Sequence, residues 1–374
     1  MKSDVVPRPV PTVLHVVIAG AVGGAERMLA DLASSTTERH VAFVRAGSPA
    51  LLAFLRDAKI ELVDAELAGE SPLHYVSRAL GGATVEALRR AIRTCEASVV
   101  QVHTIGSHVP GTRAAMAENV PLVRTEHSTR AYDDPSVMPL SRWSLGRADA
   151  VACVSEHIAS VVRKASPAVA TRVHVVPNGV DAVRFAVAAL PPRNERDAHA
   201  PFTFALLGRL EPRKGVDVAL AALALVPHAR LLVVGDGPSR AALVEHAHAA
   251  GVTDRVEWLG HVSDPRAALA RAHVMLSASR KEALGLALLE GMAMGRPAVA
   301  PPTGGIPEFV NAATGWLASD MSPTALARAM RECMQDTAFT EKARAAAQLV
   351  RTRYTQAAMQ RGYRDIYTSV TRAP

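Results

Sequence analysis

Short apolar runs of strand length alternate with amphipathic helical stretches along the first half of the chain. The segment 85–97 has the three-to-four apolar spacing of a helix, and similar Ala-, Leu- and Arg-rich segments separate most of the runs. Because a strand–helix–strand unit recurs every ~25–30 residues, the pattern predicts a parallel sheet covered on both faces. The predicted strands of this half are 13–20, 40–47, 60–65, 98–104, 121–127, 150–155 and 173–178.

The segment 188–201 interrupts this alternation. It contains three prolines and four charged residues and has no periodicity, which is typical of a linker. The alternation then restarts, and the chain is helical in pattern from Ser322 onward. We therefore predict two α/β domains, 1–187 and 202–354, with ligands expected at the carboxyl ends of the strands. The predicted strands of the second half are 202–208, 229–237, 255–260, 273–279 and 296–302.

The charge balance bears on partners and not on the fold. The chain has 374 residues, 49% of them apolar and 4% aromatic, and basic residues exceed acidic ones by seven. This surplus of basic residues is compatible with binding to nucleic acid, to an anionic membrane or to phosphorylated small molecules. Because it is spread over both halves without a basic run or interleaved aromatic residues, the pattern argues against nucleic-acid binding.

The cysteines and the start of the chain suggest a compartment. Cys95, Cys153 and Cys333 are far apart with no C-x-x-C pair, which argues against a disulfide framework or a structural zinc site and favours a reducing compartment. No apolar stretch reaches the length of a transmembrane helix. The first residues resemble a signal peptide, but the run 13–20 followed by a glycine turn favours a buried first strand. We expect a cytoplasmic protein.

Two carboxylates mark the densest polar cluster, at 279–295. Glu282 and Glu290 are eight residues apart, so on one continuous helix they would be ~12 Å apart along the axis. The spacing favours Glu282 in a loop, with a helix that begins near Gly285 and carries Glu290 in its first turns. The free N–H groups at such a helix start attract phosphate. The alternative is that both carboxylates are simply solvated.

Glycine turns and cations follow several other predicted strands. Arg209 and Lys214 follow the strand 202–208, where an Arg fork and a Lys charge suit phosphate oxygens. Gly23 and Gly24 follow the first strand and permit close approach to a ligand. The turn 235–240 lacks the third glycine of a dinucleotide fingerprint, so we reject a dehydrogenase.

Histidines stand at the ends of two predicted strands. His103 ends the strand 98–104, and His127, in a more polar stretch, ends the strand 121–127. A functional group at such a position is displayed to a ligand, although a lone histidine is more often a packing residue. The chain has no D-x-D string, so a bound diphosphate would be met by Arg209, Lys214 and helix N–H groups without a divalent ion.

Taken together and in this order, these segments resemble the retaining family 4 glycosyltransferases of GT-B fold. The resemblance rests on GGAERML (23–29), VVPNGVDAVRF (175–185), GRLEPRKGVD (208–217), VVGDGP (233–238), the two glutamates eight residues apart and GGIPEFV (304–310). It implies two Rossmann-like, doubly wound α/β domains facing across a cleft. It also implies that the last helix, within 355–374, crosses back to the N-terminal domain.

The resemblance implies roles for individual residues around a nucleotide-diphosphate sugar. Arg209 and Lys214 would hold the diphosphate, with Gly24 lying over it and Gly285 at the helix start beside it. Glu290 would bind the ribose hydroxyls, and Glu282 would bind the hydroxyls of the donor sugar. His261 and Val262 would contact the base, and His127 would face the reacting sugar. Ala283 and Leu284 stand where the family usually has a small residue and then Phe before the glycine, a departure at the position of the sugar pocket.

The resemblance also implies the chemistry. A hexose-type sugar would pass from the donor to a hydroxyl acceptor on the same face of the sugar, without metal or cofactor and with the leaving diphosphate stabilised electrostatically. The expected acceptor is a lipid-linked saccharide or a growing polysaccharide. The stretch around Arg78, Arg89, Arg90 and Arg93 could contact an anionic membrane. A nucleotide-sugar epimerase of the same fold remains the alternative enzyme.

Overall fold

The computed structural model describes residues 10–19, 22–34, 37–67, 81–189 and 201–372. The chain divides into two compact units, which we call unit 1 (Met1–Gly179 with Gln356–Pro374) and unit 2 (Val180–Thr355). The first division therefore falls eight residues before the predicted boundary at 187. Most of the predicted linker, 190–200, lies outside the described residues.

Unit 1 is built on a parallel sheet of seven strands in the order β3-β2-β1-β4-β5-β6-β7. Four central strands (β1, β4, β5 and β6) are buried along their whole length, as expected for Val-rich segments covered on both faces. The bounds are β1 Thr12–Ile18, β2 Arg39–Gly47, β3 Glu61–Leu67, β4 Val99–Val102, β5 Leu122–Glu126, β6 Ala150–Cys153 and β7 Val173–Val175.

Helices connect these strands. The described helices of this part of unit 1 are Gly24–Ala33, Pro49–Asp57, Gly82–Thr94, Ile105–Glu118, Arg130–Asp133, Met138–Leu145 and Glu156–Ala165, with a 3-10 turn at Pro167–Arg172. Two helices begin at a glycine that follows another glycine, Gly24 after Gly23 and Gly82 after Gly81.

The last helix, Gln356–Arg372, belongs to unit 1 although unit 2 precedes it in the sequence. Tyr363 and Tyr367 are fully buried on the sheet in a core shared with Val13 and Val123. The Tyr367 hydroxyl donates a hydrogen bond to Oε1 of Gln101 on β4. The expectation that the last helix returns to the N-terminal domain is confirmed.

Unit 2 is built on a parallel sheet of six strands in the order β10-β9-β8-β11-β12-β13. The bounds are β8 Phe202–Leu207, β9 Ala229–Val234, β10 Val256–Gly260, β11 Val274–Leu276, β12 Ala298–Ala300 and β13 Gly315–Leu317. Several strands end earlier than predicted, because their last residues form the loops that carry the polar side chains. The described helices are Val216–Ala224, Arg240–Ala249, Arg266–Ala270, Leu286–Ala293, Pro323–Gln335 and Phe339–Arg353, with 3-10 turns at Pro212–Lys214, Thr253–Arg255 and Ile306–Glu308.

The strand order reverses once in each sheet, between β1 and β4 in unit 1 and between β8 and β11 in unit 2. In open α/β sheets, ligands bind at the carboxyl ends of the strands beside this switch point. The loops after these four strands are therefore the places to examine for a site.

Candidate functional site

Two loops of unit 2 meet through an ion pair at the switch point. Lys214 lies in the loop after β8 and Glu282 in the loop after β11, and Nζ of Lys214 donates to Oε2 of Glu282 at 2.7 Å. Both side chains are mostly buried, with 15% and 14% of their surface exposed. A cavity beside them is lined by Ser277, Ser279, Glu282, Gly285 and Lys214 among others. The structure thus brings together three of the predicted site residues.

Local sequence explains why Lys214 is held there. The turn Pro212–Lys214 ends at Gly215, whose φ of +63° lies in the left-handed region. A Cβ at Gly215 would lie 1.9 Å from the carbonyl oxygen of Ala278, so only glycine fits where the two loops touch. The aliphatic part of Lys214 runs beside Gly208, where a Cβ would lie 3.5 Å from Cε of the lysine.

A second ion pair, which the sequence analysis did not anticipate, joins the same loops. Arg280 donates to Oδ1 of Asp217 at 2.9 Å and to the carbonyl oxygen of Pro212 at 2.7 Å. The hydrogen bonds from Arg280 lower the pKa of Asp217 below its ordinary value. These contacts fix the distance between the loop that carries Lys214 and the loop that carries Glu282.

The helix after Glu282 begins as predicted. Gly285 precedes the helix Leu286–Ala293 with φ +107°, and a Cβ there would lie 3.0 Å from the ring of Phe309. Glu290 lies in the second turn, half-buried. Leu284, which stands where the resemblance leads us to expect Phe, is 3% exposed and packs inside the unit.

Three other residues predicted to hold the donor lie outside the cavity beside Lys214. Arg209 is exposed directly after Gly208, and no carboxylate in the described ranges forms an ion pair with it. His261 is exposed and Val262 half-buried in the loop after β10, the edge strand of the sheet. Arg209 thus has no counter-ion within the part of the chain that the structure describes, which suits an incoming anion.

Unit 1 presents a helix start after β1. Glu26, in the first turn of this helix, is 5% exposed, and its Oε2 accepts a hydrogen bond from the backbone N–H of Gly23 at 2.8 Å. Burial raises the pKa of Glu26 above its ordinary value. Gly24 is exposed, and a Cβ added to it would contact nothing within 4 Å. Nothing in the described part of unit 1 therefore requires glycine at position 24.

His127 lies just after β5, partly exposed, and burial lowers its pKa to about 4. The ring is therefore neutral at pH 7. Its Nε2 lies 3.4 Å from Nδ1 of His103. The polar residues that precede His127 in the sequence interact with one another. Arg124 is fully buried and forms an ion pair with Glu126, and Glu126 also accepts a hydrogen bond from the Tyr132 hydroxyl.

Solved structures share this fold over almost the whole chain. The crystal structure of Anabaena HepE in complex with UDP superposes with a TM-score of 0.83 at 22% identity, covering 96% of this chain and 100% of that one. Two parallel, doubly wound sheets with this topology define the GT-B class of glycosyltransferases.

Sequence comparisons give the family. The family model "Glycosyl transferases group 1" matches residues 201–336, and the model "Glycosyltransferase Family 4" matches residues 22–184. The 2-deoxystreptamine glucosyltransferase of Streptomyces kanamyceticus is 30% identical over 66% of this chain and 70% of its own length. The chain belongs to the group 1, family 4 glycosyltransferases.

A further relative is the glycogen synthase of Mycobacterium tuberculosis, 30% identical over 68% of this chain. The chain spans 43% to 65% of the length of the first curated relatives that it matches. Within the described ranges, no helix has both the length and the apolar content needed to cross a bilayer.

Proposed function

We propose that the protein transfers a hexose-type sugar from a nucleotide-diphosphate sugar to a hydroxyl of an acceptor, with retention of configuration and without a metal ion. The observation that carries this proposal is the pairing of Lys214 with Glu282 at the switch point of unit 2. A cation and a carboxylate held side by side match the two chemical ends of such a donor, its diphosphate and its sugar hydroxyls.

Charge favours the diphosphate at this place. The Lys214 ammonium, the exposed Arg209 guanidinium and the N–H groups at the start of the helix Leu286–Ala293 all attract phosphate oxygens. Gly24 lies over the diphosphate in this proposal, as the family resemblance implies. Because protein cations balance the leaving charge, the proposed reaction needs no divalent ion.

Glu282 binds hydroxyls of the sugar in this proposal, and Glu290 binds those of the ribose. Glu282 is held by Lys214 in the free protein, so donor binding exchanges or shares that hydrogen bond. His261 and Val262 flank the base, and His127 approaches the sugar with a neutral ring, since burial keeps it uncharged at pH 7.

The reaction follows from this arrangement. As the bond between the anomeric carbon and the diphosphate oxygen breaks, Lys214 and Arg209 stabilise the charge that develops on the leaving group. The acceptor hydroxyl attacks from the same face, and its proton passes to a leaving phosphate oxygen. No enzyme nucleophile is required, so Glu282 serves to orient the sugar.

The acceptor is proposed to be a lipid-linked saccharide or a growing polysaccharide. The names of relatives include a phosphatidylinositol N-acetylglucosaminyltransferase subunit and a glycogen synthase. Peripheral contact with an anionic membrane gains little support from the helix Gly82–Thr94, because Arg89 and Arg93 already pair with Glu86 and Glu118. Arg78 lies outside the described residues.

A panel of UDP-, GDP- and ADP-linked sugars, tested by thermal shift, examines the donor class. A bound donor raises the melting temperature by mass action, and the shift persists in EDTA if no metal is required. Incubation of the stabilising donor with and without acceptors, read by NMR of the anomeric proton, then separates transfer with retention from epimerisation of the donor. The absence of a shift with every donor would contradict the proposal.

A further inference from the structure

Four histidines form a continuous row across the sheet of unit 1, which we call the histidine row. His40 lies on β2, His15 on β1, His103 directly after β4, and His127 directly after β5. These four strands are consecutive neighbours in the sheet. The row therefore runs from inside the sheet to its carboxyl edge and ends at the histidine that we propose faces the sugar.

The register of the strands explains how the row forms. Val13 pairs with His40, and His15 stands two residues beyond Val13. His15 pairs with Gln101, and His103 stands two residues beyond Gln101. The register between β4 and β5 gives the same offset for the third step. Because side chains alternate with a period of two, this diagonal places all four rings on one face.

The rings are hydrogen-bonded in series through their nitrogen atoms. Nδ1 of His40 lies 2.8 Å from Nε2 of His15, whose Nδ1 lies 2.9 Å from Nε2 of His103. The last step joins Nδ1 of His103 to Nε2 of His127 at 3.4 Å. Neighbouring rings stack with centroids 5.1 to 5.7 Å apart.

Burial keeps these rings neutral. His15 is fully buried, His103 is 4% exposed and His40 is 7% exposed. Burial lowers the pKa of each of them, because a charged imidazole loses its hydration. A neutral imidazole has one N–H donor and one acceptor nitrogen. Each inner ring uses both nitrogens within the row, so all the hydrogen bonds must point in the same direction.

One direction is favoured by a carboxylate at the buried end. Glu38 lies close enough to His40 for its charge to favour a protonated His40 ring. The Glu38 side chain is 4% exposed, and its Oε1 accepts a hydrogen bond from Nε of Arg364 at 3.0 Å. The negative charge favours an N–H on Nε2 of His40, since Nδ1 faces His15. His108 is buried near the other end, but neither of its ring nitrogens has a hydrogen-bond partner among the described residues.

We propose that the histidine row fixes His127 in the tautomer that carries its proton on Nε2 and presents Nδ1 as a hydrogen-bond acceptor for a hydroxyl of the bound sugar. The order of donors follows ring by ring: Nε2–H of His127 donates to His103, Nε2–H of His103 to His15, and Nε2–H of His15 to His40. His103, His15 and His40 are positioning residues. The part that concerns the sugar rests on the proposed function, whereas the tautomers belong to the free protein.

NMR of protein labelled with 15N in its histidine rings tests the tautomers without any ligand. At pH 7, the four signals of the row should show protonated Nε2 and unprotonated Nδ1, with assignment by single His→Gln variants. Glu38→Gln removes the charge at the buried end and should shift the ring nitrogens of His127, which lies three strands away in the sheet. The exposed His246 supplies the matched control variant, His246→Gln, which should leave these signals in place.

Kinetics test the role of the row in transfer. His15→Leu interrupts the series and should lower kcat about tenfold, the loss expected for one misdirected neutral hydrogen bond, with the donor KM nearly unchanged. His15→Gln retains a donor and an acceptor and should recover much of that loss. If His15→Leu fails to fold, the kcat of Glu38→Gln is compared with that of the parent protein instead, and a smaller decrease in kcat is expected.

The outcomes separate the two proposals. The expected tautomers in a protein that transfers no sugar would support the row and contradict the proposed function. A proton on Nδ1 of His127, a charged ring at pH 7, or an unmoved His127 signal in Glu38→Gln would overturn the inference. Equal kcat in His15→Leu and His15→Gln would also overturn it.

Discussion

Nζ of Lys214 lies 2.7 Å from Oε2 of Glu282, although 68 residues separate the two in the sequence. The contact depends on two close approaches between loops. Gly215 meets Ala278 in the loop that carries Glu282, and Gly304, in the loop after β12, lies where a Cβ would be 1.6 Å from the carbonyl oxygen of Glu282. The ion pair thus couples the cation proposed for the diphosphate to the carboxylate proposed for the sugar.

Lys214→Ala should weaken donor binding at least ~10-fold and slow transfer, because one charge-assisted hydrogen bond to phosphate is lost. Isothermal titration with the donor identified by thermal shift measures the affinity. Arg213→Ala is the matched control, since Arg213 is the exposed neighbour that pairs with Glu211. Equal donor affinity in the two variants would refute the role assigned to Lys214.

Gly215→Ala should lower the free energy of unfolding by about 3 kcal/mol or more, because left-handed strain adds to the clash with Ala278. Gly251 has nearly the same φ, +66°, but a Cβ there contacts nothing within 4 Å. Gly251→Ala should therefore cost only the strain, about 1–2 kcal/mol. Urea denaturation of both variants measures the difference, and similar losses would show that the loop contact is not tight.

Gly24→Ala should impair transfer without destabilising the fold, since its Cβ meets no atom of the described structure. Gly82 is the matched control because it also begins a helix after a glycine and has equally open space. Both variants should unfold within about 1 kcal/mol of the parent. Donor affinity and kcat should fall for Gly24→Ala alone; unchanged kinetics would remove Gly24 from the site.

Stability should fall as the pH is lowered from 6.5 towards 4. Burial lowers the pKa of His40 to about 4, against 6.5 in the unfolded chain, so between these values the unfolded state binds more protons. Above pH 6.5 the neutral His40 costs no stability. By pH 5, His40 alone should lower the free energy of unfolding by about 2 kcal/mol. Urea denaturation at pH 7.5 and pH 5 should show a smaller difference for His40→Gln. An equal difference would mean that His40 is not held neutral.

Sequence pattern predicted the parts of this molecule that depend on local chemistry. Buried Val-rich strands and the helix start at Gly285 both follow from residue type and spacing. Strand order does not, because it depends on which segments pack in three dimensions. His15 and His40 were therefore overlooked: each is the one histidine of a mostly apolar strand, and only the order β2-β1-β4-β5 aligns them with His103.

Long-range ion pairs were missed for the same reason. Arg280 and Asp217 are 63 residues apart and meet only because β8 and β11 are neighbours. The basic helix face at 82–94 shows the converse error, since the sequence displays its arginines but not the Glu118 carboxylate that pairs with two of them.

The return of the helix Gln356–Arg372 to unit 1 has a consequence for how the chain is made. Met359, Tyr363 and Tyr367 complete the core that Val13 begins, so unit 1 lacks part of its interior until this helix has been synthesised. Domains usually fold as they emerge, the N-terminal one first. Here unit 2 is continuous in sequence and can close first, while the sheet of unit 1, synthesised before it, keeps one apolar face uncovered until the helix Gln356–Arg372 has been made.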